Sequence, residues 1–231
     1  MEKKTKELED LSQDELKELA SQLSFPKGEK GLNIATLMNQ TNIGMTMSTI
    51  KELTLQDNEV LLELGHANCS HLKNIMEQAD NISYFGLEIS PLMQQEAQRI
   101  NENFVSKKQA FFSLYDGHNI HVENDSFDKI MTVNTLYFWK EPTELLNELY
   151  RVLKVGGKCC IGFAQAEFMK ELPFVPFGFE LYDDEKIKKL VSTTPFELAD
   201  LSKRTETVQS KIGKTMQRNY TVLTLKKPIS I

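Results

Sequence analysis

Two carboxylates and a glycine stand where a nucleotide could be held. Glu63 and Gly65 fall in Val60-Leu61-Leu62-Glu63-Leu64-Gly65-His66-Ala67-Asn68-Cys69-Ser70, and Glu88 follows 25 positions after Glu63 in Tyr84-Phe85-Gly86-Leu87-Glu88-Ile89-Ser90-Pro91. An apolar strand, a tight loop opening on glycine, a helix and a second strand ending in a carboxylate make half of a nucleotide-binding unit. The loop lets backbone approach the ligand, and the carboxylate accepts hydrogen bonds from ribose hydroxyls. Glu63, at the end of an internal strand, is costly to bury unless its oxygens find donors. The loop lacks the three spaced glycines of a dinucleotide site. His66, Cys69 and His71 are zinc-ligand types, but they sit inside the loop and no fourth ligand is evident nearby, so no metal is expected.

These residues need a sheet to position them. From 59 onward apolar strands alternate with helices, which argues for a parallel sheet covered on both faces. Strands are expected near 59–64, 83–88, 109–114, 128–133 and 157–163. Ser90-Pro91 reads as a helix opening, serine as cap and proline in the first turn. Leu145, Leu146, Leu149, Val152 and Leu153 mark an amphipathic helix, which Gly156-Gly157 is expected to stop. Residues 167–182 hold prolines and phenylalanines without a period and read as a loop or flap near the substrate mouth, with a helix at about 183–192. Two β-rich segments, 196–208 and 217–226, leave no room for a crossover helix, so an antiparallel hairpin is expected at the end. Cys159 and Cys160 should alternate across a buried strand.

Ahead of this core, Ser12-Gln13-Asp14-Glu15 has capping-box spacing, and Leu16, Leu19, Ala20 and Leu23 share a helical face. Pro26 and Gly28 should end that helix. Two more short helices are expected over 30–55, with Met38, Met45 and Met47 suited to an adaptable lid. The division expected is a helical extension over 1–55 and a ligand-binding domain over 56–231.

Four segments in this order resemble the class I, Rossmann-like methyltransferases that use S-adenosylmethionine. The loop Glu63-x-Gly65-x-Ala67-x-Cys69 is similar to that family's acidic-Gly-x-Gly-x-Gly loop. Leu87-Glu88-Ile89-Ser90-Pro91 looks like its second strand and following helix. Tyr115-Asp116-Gly117, twelve residues before Asp128, is similar to its adenine loop, and Leu149–Lys158 looks like the helix and turn before its fifth strand. The resemblance spans roughly 58–226. It implies a doubly wound α/β sheet of seven strands in the order 3-2-1-4-5-7-6, the last antiparallel, with an N-terminal helical lid.

The resemblance further implies that Glu63, Gly65, His66, Ala67, Glu88, Ile89, Asp116, Gly117 and Asn134 face S-adenosyl-L-methionine. Glu63 would order the loop near the cofactor's amino group, Glu88 would take both ribose hydroxyls, and Asp116 would accept from the adenine amino group. Tyr137, Phe138 and Trp139 would face the methyl acceptor, with His118 or His121 within approach, and no catalytic base is named. Ala67 and Cys69 replace two glycines of the family loop. Alanine is mild there only if φ is negative, and cysteine would begin to fill space beside the cofactor.

Composition narrows the acceptor. A formal net charge of −6 with pI near 5.4 gives no basic face for a phosphate backbone. The position after the fourth strand reads Val133-Asn134-Thr135-Leu136-Tyr137-Phe138-Trp139, without the Pro-Pro segment of amino-modifying nucleic-acid enzymes. No leader-like apolar core opens the chain and no run is long enough to span a membrane. Three cysteines, two adjacent, do not make a disulfide framework, so a cytoplasmic enzyme of small molecules is expected. Its oligomeric state is left open, and the competing reading is a cofactor-binding regulatory or scaffold protein without turnover.

Overall fold

In the computed structural model, which describes residues 11–209 and 215–229, Ser12 and Glu15 cap each other's backbone as their spacing predicts. They open α1 (Gln13–Ser24), which buries Leu16 and Ala20. The start of the expected extension, residues 1–10, and the turn of the expected hairpin at 210–214 lie outside the described residues, as do 230–231.

Residues 30–55 do not form two short helices. One helix, α2 (Gly28–Leu53), runs through them. Its internal glycines are points of close approach rather than breaks. A Cβ on Gly31 would come 2.9 Å from the carbonyl carbon of Pro26, and one on Gly44 would collide with the Glu206 carboxylate. Glycine costs a helix about 1 kcal/mol relative to alanine. Burial of Met45, Ile50 and Leu53 in the core shared with the sheet offsets that cost.

The sheet comprises β1 (Val60–Leu64), β2 (Ser83–Glu88), β3 (Ala110–Leu114), β4 (Phe127–Val133), β5 (Leu153–Ala164), β6 (Glu197–Gln209) and β7 (Thr215–Lys226). Their order is β3-β2-β1-β4-β5-β7-β6. The first five pair in parallel, and β7 runs antiparallel to both β5 and β6. This is the Rossmann-like methyltransferase fold that the four segments imply. Between the strands lie α3 (Leu72–Met76), α4 (Pro91–Ile100), α5 (Glu102–Ser106), α6 (Pro142–Val152), α7 (Ala166–Met169) and α8 (Asp184–Val191).

Because helices cover both faces, inner strands are buried on successive residues. Leu61, Leu62 and Leu64 are fully buried, and so are the neighbours Cys159 and Cys160 on β5. Each buried leucine contributes about 1.5–3 kcal/mol. Ser90 caps α4 through its hydroxyl with Pro91 in the first turn, which fixes where the chain turns after Glu88.

Gly156-Gly157 is not the stop of α6. The helix ends at Val152, and the chain is already extended at Leu153. Across from it, Phe127 pairs with Leu153 whereas Lys129 pairs with Lys158, so β5 carries a bulge. Gly156 has φ +79°, and a Cβ on Gly157 would lie 2.7 Å from Leu153 and Lys154 atoms. The glycines serve that bulge. The segment 167–182 opens with α7 and continues as turns rather than one irregular flap.

Candidate active site

The chain winds outward from β1 in both directions, toward β2 on one side and β4 on the other. A crevice must therefore open beyond the carboxyl ends of these strands. A cleft of about 460 Å³ lies there, floored by the loops after β1 to β4 and roofed by Leu23–Pro26 and α2. The structure gathers all nine expected cofactor-side residues in its lining: Glu63, Gly65, His66, Ala67, Glu88, Ile89, Asp116, Gly117 and Asn134. Phe138 and Trp139 line it as well. Tyr137 does not. It is buried one layer behind, its hydroxyl 3.0 Å from Asn134 Oδ1 and accepting the Ala164 amide at 2.5 Å. His118 lines the cleft, and His121 is exposed elsewhere.

The first loop turns through left-handed backbone. Gly65 has φ 65°, Ala67 50° and Cys69 49°. Both replacements thus sit where glycine is favoured, each at a cost of roughly 1–2 kcal/mol. Gly65 is also crowded: a Cβ there would come 2.5 Å from Thr135 Cγ2. Cys69 does not fill space beside the ligand. Its side chain points away from the cleft into the core, with Sγ 3.1 Å from the Tyr84 hydroxyl.

Glu63 is buried but well supplied with donors. His71 Nε2 reaches both its oxygens at 3.0 Å, and the Tyr84 hydroxyl donates to Oε2 at 2.6 Å. Burial disfavours the charged forms of both Glu63 and His71. Their mutual attraction outweighs it, holding the acid below its ordinary pKa and the imidazole above. His66 differs. Burial pushes its pKa down to about 4, its Nδ1–H donates to the Ala67 carbonyl at 2.7 Å, and its buried Nε2 has no partner. Gly86 makes room for this ring, since a Cβ there would lie 2.6 Å from His66 Cδ2.

Glu88 has no cation partner among the described residues. Oε2 accepts the Ala67 amide at 3.0 Å, and Oε1 accepts the Ile89 and Ser90 amides at 2.8 and 3.0 Å. Burial raises its pKa to about 7 against the lowering effect of those three amides. Asp116 braces its own turn: Oδ1 accepts the His118 and Asn119 amides at 2.8 and 2.7 Å, and Oδ2 accepts Asn119 Nδ2 at 2.7 Å. Those bonds hold its carboxyl far below the ordinary range.

The cleft therefore offers Glu88, Asp116 and Glu63, the last already paired with His71, against a single lysine, Lys140. A ligand rich in hydroxyl and amino donors and carrying positive charge suits this set; a bare phosphate does not. Some contributors were not foreseen. His71 drew notice only as a metal ligand, and Glu63, Cys69 and His71 do converge within 4.8 Å, with Glu63 rather than His66 as third member. Tyr84 gave no signal beyond an inward position on β2, and nothing local marked Asn42, which reaches the cleft from α2.

Residues 62–161, from β1 into β5, match the family model described as a methyltransferase domain. A curated relative named an uncharacterized methyltransferase, YdaC of Bacillus subtilis (strain 168), is 23% identical over 126 residues, 54% of this chain and 67% of its own. The stretch from β1 into β5 is a methyltransferase domain of the class I, S-adenosylmethionine-dependent kind.

Among solved structures, the putative methyltransferase in complex with the Haloferax volcanii Trm112 activator resembles this methyltransferase with TM-score 0.68 and 13% identity. That match covers 95% of this chain and 100% of the other. Geranyl diphosphate C-methyltransferase from Streptomyces coelicolor A3(2), solved with S-adenosyl-L-homocysteine, has TM-score 0.64 at 8% identity, covering 80% and 76%. At such identities these two show the shared fold. The cofactor of this methyltransferase is S-adenosylmethionine, and its cleft fits that molecule on its own chemistry. The buried Glu88 keeps acceptor capacity without a cation, and three carboxylates face a space that would receive a sulfonium, an ammonium and two hydroxyls.

Proposed function

We propose that this methyltransferase acts on a small molecule by direct in-line transfer inside the roofed cleft. One observation carries this reading. The three carboxylates and the apolar side chains of Met38, Phe138 and Trp139 line a single space, closed above by the N-terminal helices. Cofactor and acceptor would then meet in a dry, narrow site rather than on an open face. The same observation supports treating residues 1–55 as a lid on a ligand-binding domain over 56–231.

Bound S-adenosylmethionine supplies a methyl group already activated on a sulfonium. The chain's own groups hold and align. A carboxylate has about four acceptor positions, and backbone amides take three on Glu88, which leaves one position on Oε2 for a ribose hydroxyl. Glu63, kept ionised by His71 and Tyr84, attracts the ligand's positive end. Asp116 and Gly117 receive the adenine side, and Asn134 stands between cofactor and acceptor. Alignment and exclusion of water can supply much of the acceleration, so no base needs to be assigned to the step.

Three free, buried cysteines suit a reducing cytoplasm, where we place the enzyme. Among the described residues no helix is long and apolar enough to cross a membrane. The test is calorimetric titration with S-adenosylmethionine and its demethylated product, followed by turnover against a metabolite panel with a labelled methyl group. Label appearing in a small molecule supports the reading. Tight binding with no transfer to any acceptor would replace it with a binding role without turnover.

A further inference from the structure

Behind the main cleft lies a second cavity of about 130 Å³, and the two share Leu23, Met38, Asn42, Asn134 and Phe138 as a common wall. We propose that this inner cavity is the acceptor's subsite. It takes an uncharged, benzene-sized apolar group, and the junction of the two cavities holds a hydrogen-bond-accepting oxygen of the same molecule. The proposal rests on the methyltransferase reading and names the acceptor class for that site.

Size and lining set the apolar part. A cavity near 150 Å³ lined by aliphatic and aromatic side chains binds benzene, and this one, which is partly open, is slightly smaller. Its walls are Phe138, Met169, Leu172, Phe174 and Phe179. Three of these rings form one cluster, with Phe138 and Phe174 lying 4.7 and 5.5 Å from Phe179. The two methionines of the lining, Met38 and Met169, can adjust to an irregular occupant.

Charge is excluded because Arg218, the one charged side chain in the lining, is already neutralised. Its guanidinium is buried, donates to Glu206 Oε1 at 3.0 and 2.7 Å, and also reaches Asn42 Oδ1 at 2.8 Å and the Thr41 carbonyl at 2.7 Å. An anion or ammonium entering here would lose its hydration without gaining a free partner.

The junction supplies the polar part. Asn42 spends Oδ1 on Arg218, and Asn134 spends Oδ1 on the Tyr137 hydroxyl. The amide nitrogen of neither side chain meets an acceptor among the described residues. Both residues line both cavities. These two NH₂ groups can donate to an oxygen of the acceptor at the boundary with the cofactor cleft, and the Arg218 and Tyr137 contacts keep both amides in that orientation.

The experiment uses the full chain saturated with S-adenosyl-L-homocysteine and titrates toluene, p-cresol, benzoate and benzylamine, read by fluorescence of Trp139, the single tryptophan, and by calorimetry. The expected order is p-cresol tighter than toluene by about three- to tenfold, with benzoate and benzylamine at least tenfold weaker than p-cresol. Ala164 also lines the inner cavity, so Ala164→Leu should abolish p-cresol binding while S-adenosyl-L-homocysteine affinity stays within about twofold. If that variant does not fold, Phe174→Ala supplies the converse, with naphthol binding gained relative to p-cresol. Charged probes binding as well as p-cresol, or p-cresol binding undisturbed in Ala164→Leu, would overturn the proposal. Failure of S-adenosyl-L-homocysteine to bind would instead strike the reading of the main cleft.

Discussion

His71 Nε2 lies 3.0 Å from both oxygens of Glu63, and the two side chains form a buried ion pair at the foot of the cofactor cleft. The Tyr84 hydroxyl donates to the same carboxylate and lies beside the Cys69 thiol, so a four-residue polar chain runs under the loop. Both oxygens of Glu63, the Tyr84 hydroxyl and the Cys69 thiol have partners within the chain, which favours burying such a network.

Removing one member should expose the cost of the others. His71→Ala leaves Glu63 buried and unpaired, so a loss of about 3–5 kcal/mol is expected. Tyr84→Phe loses one bond to a charged group, about 1.5–3 kcal/mol. The pH window follows from the two shifts. Glu63 is held below 4.5, so its share is complete above that value and lost as pH falls through its folded pKa. His71 is held above 6.5, so its share is complete below that value and lost as pH rises through its folded pKa. The gap in stability between wild type and a Glu63→Leu, His71→Leu double variant should therefore favour wild type most between about pH 4.5 and 6.5, read by urea denaturation across pH. A gap constant from pH 4 to 9 would contradict the ion pair.

Glu88 carries the opposite sign. Burial raises its pKa from 4.5 to about 7, so the folded protein holds a proton that the unfolded chain has released, and Glu88 makes stability fall as pH rises between those values. Ribose hydroxyls are better held by the carboxylate than by the acid. Cofactor affinity should rise as pH passes through about 7, with release of a proton on binding below that point. Titration calorimetry in two buffers of different ionisation enthalpy measures the proton directly. Glu88→Gln should bind roughly ten- to hundredfold more weakly and show no release.

The loop replacements make two variants that should move in opposite directions. Ala67→Gly relieves a left-handed alanine at φ 50°, a gain of roughly 1–2 kcal/mol reduced by about 0.4–1 kcal/mol of added freedom in the unfolded chain. A small net stabilisation is expected. Cys69→Gly relieves similar strain but empties a buried site and deletes the contact to Tyr84, so a net loss of about 1–2 kcal/mol is expected. Thermal denaturation of the two variants decides it. Stabilisation by both would show that backbone strain alone governs the loop.

The sheet was legible because its signals are local. Strand–loop–helix alternation placed the first five strands, two β-rich segments placed the closing pair, and the cap at Ser90-Pro91 placed the turn after Glu88. What escaped depends on distance in sequence. Nothing near Gly44 shows that Glu206 packs against it, and local pattern suggested two short helices where one runs through. Arg218 reaches Asn42 and Thr41 across 176 and 177 positions, a relation invisible to pattern. Tyr137 sits beside two residues that line the cleft, yet the short 3₁₀ turn at Leu136–Phe138 directs it inward to Ala164.

The roof offers a final test, because its segment 24–42 is tied to the loops beneath it at two points, while Arg218 of β7 anchors its far end at Thr41 and Asn42. The Ser90 hydroxyl donates to the Pro26 carbonyl at 2.6 Å, and the Asn39 amide donates to Asn68 Oδ1 in the first loop. Around these ties, Phe25, Met38 and Asn42 face the cleft, whereas Met45, Ile50 and Leu53 further along α2 are buried in the core. Opening for ligand entry should therefore involve residues 24–42 and leave 45–53 in place. Hydrogen exchange is expected to slow across 24–42 when S-adenosyl-L-homocysteine is added, with 45–53 already protected and unchanged. Asn39→Ala removes the tie to the loop beneath, so exchange over 24–42 should rise in the free enzyme and fall again on binding. Uniform slowing along the whole of α2 would mean that the helix stiffens as one rod, and no slowing at all would make the roof a fixed cap.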